Sequence, residues 1–409
     1  MAVGHAPLPS FHVIEGLRLG IAEAGIKKSK RKDLVIIEVA KGGCCVGVFT
    51  KNAFCAAPVQ VCKQHLENNG FCQENRYLLI NTGNANAGTG AQGMQDALAS
   101  CNALAELEHV SLSSVLPFST GVIGEKLPVD KIVAGLPAAI ADLSEDNWSR
   151  AAEGIMTTDT RPKGATRRVL IDGKAVHISG ISKGAGMIKP NMATMLAFVG
   201  TDARIAPELA QSLLREAVNL SFNRITIDSD TSTNDACMFL ATAHSSAPEI
   251  TEDHPDYDAF KSALSSLMQE LAHLIVKDGE GATKFIEVAV ESAQSSEEAL
   301  EVAYTIAHSP LVKTAFYASD PNWGRILAAV GRAGLESLDL GKINIYLDEV
   351  CIVSAGERDA SYTEEQGQRV MDRDTILVRV ELGRGTANER VWTSDLSHDY
   401  VTINAEYRT

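Results

Sequence analysis

The sequence predicts a mixed chain, α/β or α+β, rather than a helical bundle or a sandwich of strands alone. Strand-like and helix-like stretches alternate along its whole length. Its 409 residues, 45% hydrophobic and 22% charged, are of ordinary globular composition. That length is enough for about two to three domain-sized units around a large core. No repeat of fixed period and no low-complexity tract breaks the pattern.

The elements follow in order. LVIIEVA (Leu34 to Ala40) and YLLIN (Tyr77 to Asn81) are rich in β-branched and apolar residues and read as strands. Apolar residues at helical spacing predict helices over Met94 to Leu107, Pro207 to Leu220 and Tyr257 to Val276. Pro207 sits where a first-turn proline is tolerated. SSAPEITEDHPDY (Ser245 to Tyr257) is polar and contains proline, so it reads as a surface loop. FIEVAVE (Phe285 to Glu291), INIYLDE (Ile343 to Glu349) and ILVRVEL (Ile376 to Leu382) are further strands, several of which should share a sheet. The helix over Glu297 to His308 follows a Ser295-x-x-Glu298 capping box and stops before Pro310.

A net charge of -15 argues against nucleic acid or an anionic membrane as the main partner, because both require clustered Lys and Arg. KKSKRK (Lys27 to Lys32) is the one basic run and reads as a solvated loop. No segment approaches the ~20 apolar residues of a membrane span, and the N-terminus lacks the features of a signal peptide. The expected location is therefore cytoplasmic. The eight cysteines include no C-x-x-C pair and read as small buried hydrophobes. Without H-E-x-x-H or a tight His/Cys cluster, no metal site is expected.

KGAGMIKPNMATMLAFVGTDA (Lys183 to Ala203) is the most informative stretch, because it sets Thr194 behind a Gly-rich, Pro-containing approach. Cleavage between Ala193 and Thr194 would give one residue a hydroxyl nucleophile and a free α-amine. Such an amine titrates near pH ~8 and can serve as its own general base. Four Ala-Thr dipeptides occur in the chain, so the dipeptide alone selects nothing. The glycines of Gly180 to Asn191 give this approach the freedom of a hinge. Two other patterns are set aside. GTGAQG (Gly88 to Gly93) matches a dinucleotide fingerprint but is separated from its strand by NTGNANA, and GISKG (Gly180 to Gly184) matches a nucleophile elbow around Ser182 without a following helix.

GAGMIKPNMATMLAF closely resembles the self-cleavage segment of the ornithine acetyltransferase family, also called bifunctional glutamate N-acetyltransferase. STGVIGE (from Ser119), IMTTDTRPK (from Ile155), KDGEGATKF (from Lys277), SDPNWGRI (from Ser319) and INAEYRT (from Ile403) also look like family motifs, in the right order over nearly the full length. Lys189 departs from the pattern, in which many members have a small residue.

The resemblance implies a layered helix-sheet α/β architecture, self-cleaved into an α chain (1–193) and a β chain (194–409), assembled as a heterotetramer of two α and two β chains. It implies Thr194 as nucleophile and Thr120 and Gly121 as an oxyanion hole, where fixed donors stabilise the charge of acyl transfer. Thr157, Lys183, Thr194, Glu280, Asn404 and Thr409 are implied as substrate-binding positions. Read without the resemblance, Thr157 is a helix cap, Lys183 and Glu280 are surface charges, and Asn404 and Thr409 belong to a frayed tail. Asp320 and Trp323 stand between a role at the site and, for Trp323, a core anchor.

The implied activity is ping-pong transfer of acetyl from N2-acetyl-L-ornithine to L-glutamate in arginine biosynthesis, with no cofactor and with acetyl-CoA as a second donor in the bifunctional case. The enzymatic alternative is an N-terminal-nucleophile amidase or aminopeptidase using the same Thr194. A noncatalytic binding protein for small amino-acid ligands would instead remain a single uncleaved chain.

Overall fold

The computed structural model describes residues 2–4, 7–66, 70–189 and 195–406. The first half carries strands β1 (Leu17–Ala22), β2 (Leu34–Val39), β3 (Cys44–Phe49), β4 (Arg76–Asn84), β5 (Val115–Val122), β6 (Lys163–Ile171) and β7 (Lys174–Lys183). Helices α1 (Ala57–Leu66), α2 (Gly90–Glu108), α3 (Val129–Ala141) and α4 (Trp148–Gly154) lie between them. The second half opens with β8 (Leu196–Thr201), α5 (Pro207–Asn219), β9 (Ile225–Thr226), β10 (Ala236–Ala241) and α6 (Tyr257–Lys277). It continues through β11 (Phe285–Ala293), α7 (Ser296–Ala307), α8 (Pro310–Tyr317) and α9 (Trp323–Gly331). After these come β12 (Asn344–Leu347), β13 (Val350–Ser354), β14 (Glu357–Arg358), α10 (Glu364–Met371), β15 (Thr375–Glu381), β16 (Ala387–Ser394) and α11 (His398–Ala405).

Three sheets organise the molecule. The first runs β1-β2-β4-β5, the second β3-β10-β8-β7-β6, and the third β14-β13-β12-β15-β11-β16-β9. The first two stack face to face, because each presents an apolar face that must leave water: Leu19, Leu78, Ile80 and Phe118 meet Ile181, Phe198, Met238 and Leu240 in one core. Helices cover the outer faces. α2 and α3 pack Leu104 and Leu136 on the first sheet beside Leu34 and Leu79, and α5 and α6 pack Leu214, Leu267 and Leu271 on the second. A separate core joins the third sheet to α7, α8 and α9. The architecture is thus helix, sheet, sheet, helix, with a third sheet and its helices alongside: the layered α/β fold expected.

All the predicted strands and helices form, and β2 with β4, and β11 with β12 and β15, share sheets. The Ser295 cap is half of the expected box: its side chain accepts from Glu298 N, while the Glu298 carboxylate reaches Gln294 N instead of its own cap residue. Pro310 does not merely end α7; it opens α8 behind the Ser309 cap.

The two set-aside patterns are structural, for reasons other than those the sequence suggests. NTGN belongs to β4, so the connection to α2 is short. What fills the place of a pyrophosphate is the loop itself: a Cβ on Gly93 would lie 1.9 Å from Thr89 Oγ1 and 2.6 Å from Asn86 Oδ1. Ser182 lies inside the ten-residue β7, paired with Lys163, and makes no elbow. SDPNWGR is a helix start, in which Asn322 accepts from Arg325 N and Trp323 packs on the third-sheet core.

Candidate active site

β5 begins apolar within the stacked sheets and ends in Ser119, Thr120 and Gly121 at the sheet's rim. It pairs in parallel with β4, placing Gly121 opposite Gly83. Gly121 has φ +135°, and a Cβ there would lie 2.3 Å from the Gly83 carbonyl carbon. Only glycine lets the two backbones run this close. Asn234 fixes the same rim from the other chain segment, donating to Ala85 O (2.6 Å) and Ser119 O (2.9 Å).

Lys183 is the last residue of β7 and is 4% exposed. Its Nζ donates to Thr120 Oγ1 at 3.0 Å. The Thr120 hydroxyl therefore accepts from the lysine and retains its own proton to donate to an incoming oxygen. Burial pulls the Lys183 pKa below the usual lysine value; Asp159 opposes this, Lys163 adds to it, and Asp235 and Glu280 resist it.

Beneath Lys183 lies a buried charge network that joins two of the sequence motifs. Lys163 Nζ reaches Asp159 Oδ1 (2.5 Å) and Asp278 Oδ2 (2.6 Å), with all three side chains fully buried. Asp159 also accepts from Thr157 N (2.9 Å) and Gly184 N (2.7 Å), and Asp278 accepts from the Thr160 amide and hydroxyl. Burial alone would raise the Asp159 pKa, but Lys163 and Lys183 outweigh it and hold the carboxyl well below its usual range. TTDTRPK and KDGEGATKF are thereby clamped together around the end of β7.

Glu280 follows the clamp in a tight turn, its amide donating to Ala185 O at 2.8 Å. Its carboxylate packs on Gly186, where a Cβ would come within 2.6 Å of Oε2. Asn404, on α11, donates to the same oxygen at 2.7 Å.

Thr120, Gly121, Thr157, Lys183, Glu280 and Asn404 all line one narrow pocket of about 80 Å³, with Ser232, Thr233 and Asn234 on another side. Six predicted positions, drawn from five separate elements or loops, are thus brought together. Ala193, Thr194 and Thr409 lie outside the described residues.

The chain on either side of Thr194 is nonetheless fixed, and here the sequence reading needs correction. Gly184 and Met187 do use positive φ (+152° and +51°), yet the stretch is held rather than free. Asp228 accepts from Met187 N (2.6 Å) and Ile188 N (2.9 Å), and Asp235 accepts from Met195 N (2.9 Å). Desolvation raises the Asp228 pKa against those two amides, and Tyr400 OH donates to it at 3.3 Å. These anchors come from IDSDTSTND (Ile227 to Asp235), which sequence reasoning passed over. The available signal was its density of Asp, Ser, Thr and Asn, residues that bind backbone amides in loops. Asp159 and Lys163, four residues apart, were passed over because the third member of their network, Asp278, lies 115 residues beyond Lys163.

Among the described residues, no group of three or more His, Cys, Asp or Glu is placed to hold a metal ion, and no helix is long and apolar enough to cross a membrane. A polar pocket pairing a buried cation with a hydroxyl donor on one wall and a carboxylate on another suits an amino-acid substrate and a developing oxyanion.

Fold and pocket together suit an enzyme acting on small polar substrates. The chain belongs to the ArgJ family, which it matches over residues 18–409. It is 57% identical over 410 residues, covering all of both chains, to the arginine biosynthesis bifunctional protein ArgJ of Pseudomonas syringae pv. tomato. It is 61% identical to the protein of the same name from Methylococcus capsulatus, over 97% of this chain and 96% of that one. A crystal structure of the Bacillus halodurans ArgJ protein matches with 40% identity and a TM-score of 0.49, covering 51% of this chain and 97% of that chain. The chain is accordingly a bifunctional acetyltransferase of arginine biosynthesis.

Proposed function

We propose that the chain cleaves itself between Ala193 and Thr194 and then transfers acetyl from N2-acetyl-L-ornithine to L-glutamate through an acetyl-Thr194 ester. The observation that carries this reading is the Lys183–Thr120 pair in the pocket that six of the predicted positions line, at the end of the strand that leads into the Thr194 segment.

Thr194 Oγ attacks the Ala193 carbonyl, the Ala193–Thr194 C–N bond breaks as the nitrogen takes up the proton and becomes the free α-amine, and water then hydrolyses the resulting ester to release the Ala193 carboxylate and the Thr194 hydroxyl. That amine then takes the Oγ proton as the hydroxyl attacks the acetyl carbonyl. The oxyanion is held by the Thr120 hydroxyl and the Gly121 amide until the C–N bond breaks and ornithine leaves with the proton. Glu280, supported by Asn404, receives the substrate's cationic group, and Lys183 its carboxylate. L-Glutamate enters next, and its amine takes the acetyl group from Thr194. Acetyl-CoA is the second donor to the same threonine, which gives the bifunctional activity without a resident cofactor. The chains 1–193 and 194–409 assemble as a heterotetramer of two α and two β chains and work in the cytoplasm, with Thr157 and Thr409 completing the substrate site.

The test is a denaturing mass spectrum of the mature protein before and after incubation with N2-acetyl-L-ornithine alone. Two fragments are expected, the heavier C-terminal one gaining a single acetyl mass that added L-glutamate removes. One intact chain, or an unchanged fragment mass, would overturn the reading. Rapid loss of the acetyl group to water would point to an amidase.

A further inference from the structure

Ser232, Thr233 and Asn234, on the wall of the pocket that the sequence reading passed over, carry a hydroxyl whose polarity is fixed. Asn234 Nδ2 donates to both Ala85 O (2.6 Å) and Ser119 O (2.9 Å), which sets the orientation of the amide. Its Oδ1 is then the end that meets Thr233, and a carbonyl oxygen only accepts. Thr233 Oγ1 therefore donates its hydrogen to Asn234 (2.6 Å) and meets a ligand only through its lone pairs. Thr120 has the opposite arrangement, since its oxygen accepts from Lys183 and its hydrogen is left to donate. One pocket is thus lined by a hydroxyl donor and a hydroxyl acceptor. Resting on the acetyl-transfer reading above, we infer that Thr233 is a specificity-determining residue: its oxygen accepts the N–H of the substrate's acetamido group and so selects amides over esters.

The assignment follows from what the other groups leave open. An acetylated diamino acid presents a carboxylate, a cationic amine, a carbonyl oxygen and one amide N–H. In the reading above, Lys183 takes the first, Glu280 the second, and Thr120 with Gly121 the third. The N–H is the polar group still without a partner, and burying it unpaired is costly.

The frame around Thr233, which is half-buried, is held from several sides. Ser232 O accepts from Thr50 Oγ1 (2.7 Å), Thr233 O from Ala56 N (2.9 Å), and Ser232 Oγ from Asn234 N (3.1 Å). Because Asn234 binds the carbonyl of Ser119, the residue before Thr120, one side chain ties the acceptor wall to the donor wall. The two hydroxyls are held in a fixed relation before any substrate arrives. In the reaction, the nitrogen keeps the hydrogen that Thr233 holds, gains the proton taken from the attacking hydroxyl, and leaves as the amine when the C–N bond breaks. Holding the N–H turns the nitrogen lone pair toward that incoming proton. The same contact orients the amine of L-glutamate when it attacks the acetyl ester.

The test compares kcat/KM for two donors, N2-acetyl-L-ornithine and its O-acetyl analogue, in which oxygen replaces the amide N–H. In the ping-pong reading this constant reports the donor half-reaction alone. Thr233→Val should lower it roughly tenfold or more for the amide, the effect of leaving one buried N–H without its partner. It should not fall for the ester, which has no N–H to lose. Thr233→Ser, which keeps the hydroxyl, should restore the amide rate. Thr233→Cys keeps a donor for Asn234 but only a weak acceptor for the ligand, so it should show the same selective loss and covers the case in which valine disturbs Asn234. Equal losses with both donors would overturn the assignment and leave Thr233 a support for the rim. An unchanged amide rate in Thr233→Val would overturn it too. A wild type that releases no ornithine from acetylornithine would instead overturn the acetyl-transfer reading itself.

Discussion

Thr120 holds the shortest link between structure and chemistry. Its oxygen accepts from Lys183, so its hydrogen is left to donate, and Thr120 lines the pocket. Thr120→Ala should slow acetyl transfer by roughly a hundredfold or more at saturating substrate, the usual effect of losing one oxyanion donor. A wild-type kcat would return Thr120 to the part of a strand-end residue. His273 makes a different prediction at the same scale. It packs edge-on to Trp392 (4.5 Å between ring centroids) and Phe285 (5.2 Å), and burial, with Lys277 acting in the same direction, lowers its pKa to about 4. The unfolded chain binds this proton at about pH 6.5 and the folded chain resists it. His273 therefore contributes full stability above pH 6.5 and loses it as pH falls toward 4, by up to about 3 kcal/mol. Urea unfolding of His273→Phe at pH 7 and at pH 4.5 should show a smaller acid loss than wild type; equal losses would show that the histidine titrates freely.

At the scale of elements, the clamp beneath β7 is the feature that most constrains the site. Lys163 bridges Asp159 and Asp278, and none of the three side chains meets water. Lys163→Met leaves two buried carboxylates facing each other, and removing one partner of such a pair costs about 3–5 kcal/mol. The expected result is a large drop in the urea midpoint together with loss of activity, because Gly184 and Thr160 are released as well. A midpoint within error of wild type would mean that solvent reaches the network. Elements of this kind were only half legible in the sequence. α6 announced itself because burial on one face imposes a helical period, and β2 and β4 as short apolar runs buried on both faces. The TTDT and DGEGATK loops carry no period, and their pairing through Asp159, Lys163 and Asp278 is a product of tertiary distance. The resemblance pointed to Thr157 and Glu280 as positions but gave no reason for their place; the clamp supplies it. The opposite error occurred at Gly180 to Asn191, where glycine was read as freedom, although Gly186 is required for close approach to Glu280 and Asp228 fixes the residues after it.

For the whole molecule, the second sheet decides what cleavage can do. Its order β3-β10-β8-β7-β6 interleaves strands from both sides of Thr194, with β8 hydrogen-bonded to β7 over six residue pairs and β10 to β3 over six more. The core between the stacked sheets is likewise shared, since Phe118 of one part meets Phe198 of the other at 5.2 Å. Cutting the connection after Ala193 would therefore break neither a sheet nor a core; it would remove only the chain closure. On the proposed cleavage, the two fragments should co-elute under native conditions and separate only in denaturant. Thr194→Ala, which stays closed, should unfold at a higher urea concentration than the cleaved protein at equal micromolar concentration, because separated fragments gain entropy that a continuous chain does not. Measuring both midpoints at two protein concentrations gives the check. Fragments that part on native gel filtration would mean that the shared sheet contributes less than its pairing implies, and identical midpoints would mean that unfolding is governed by the third sheet and its helices, whose strands β11 to β16 lie wholly on one side of the cut.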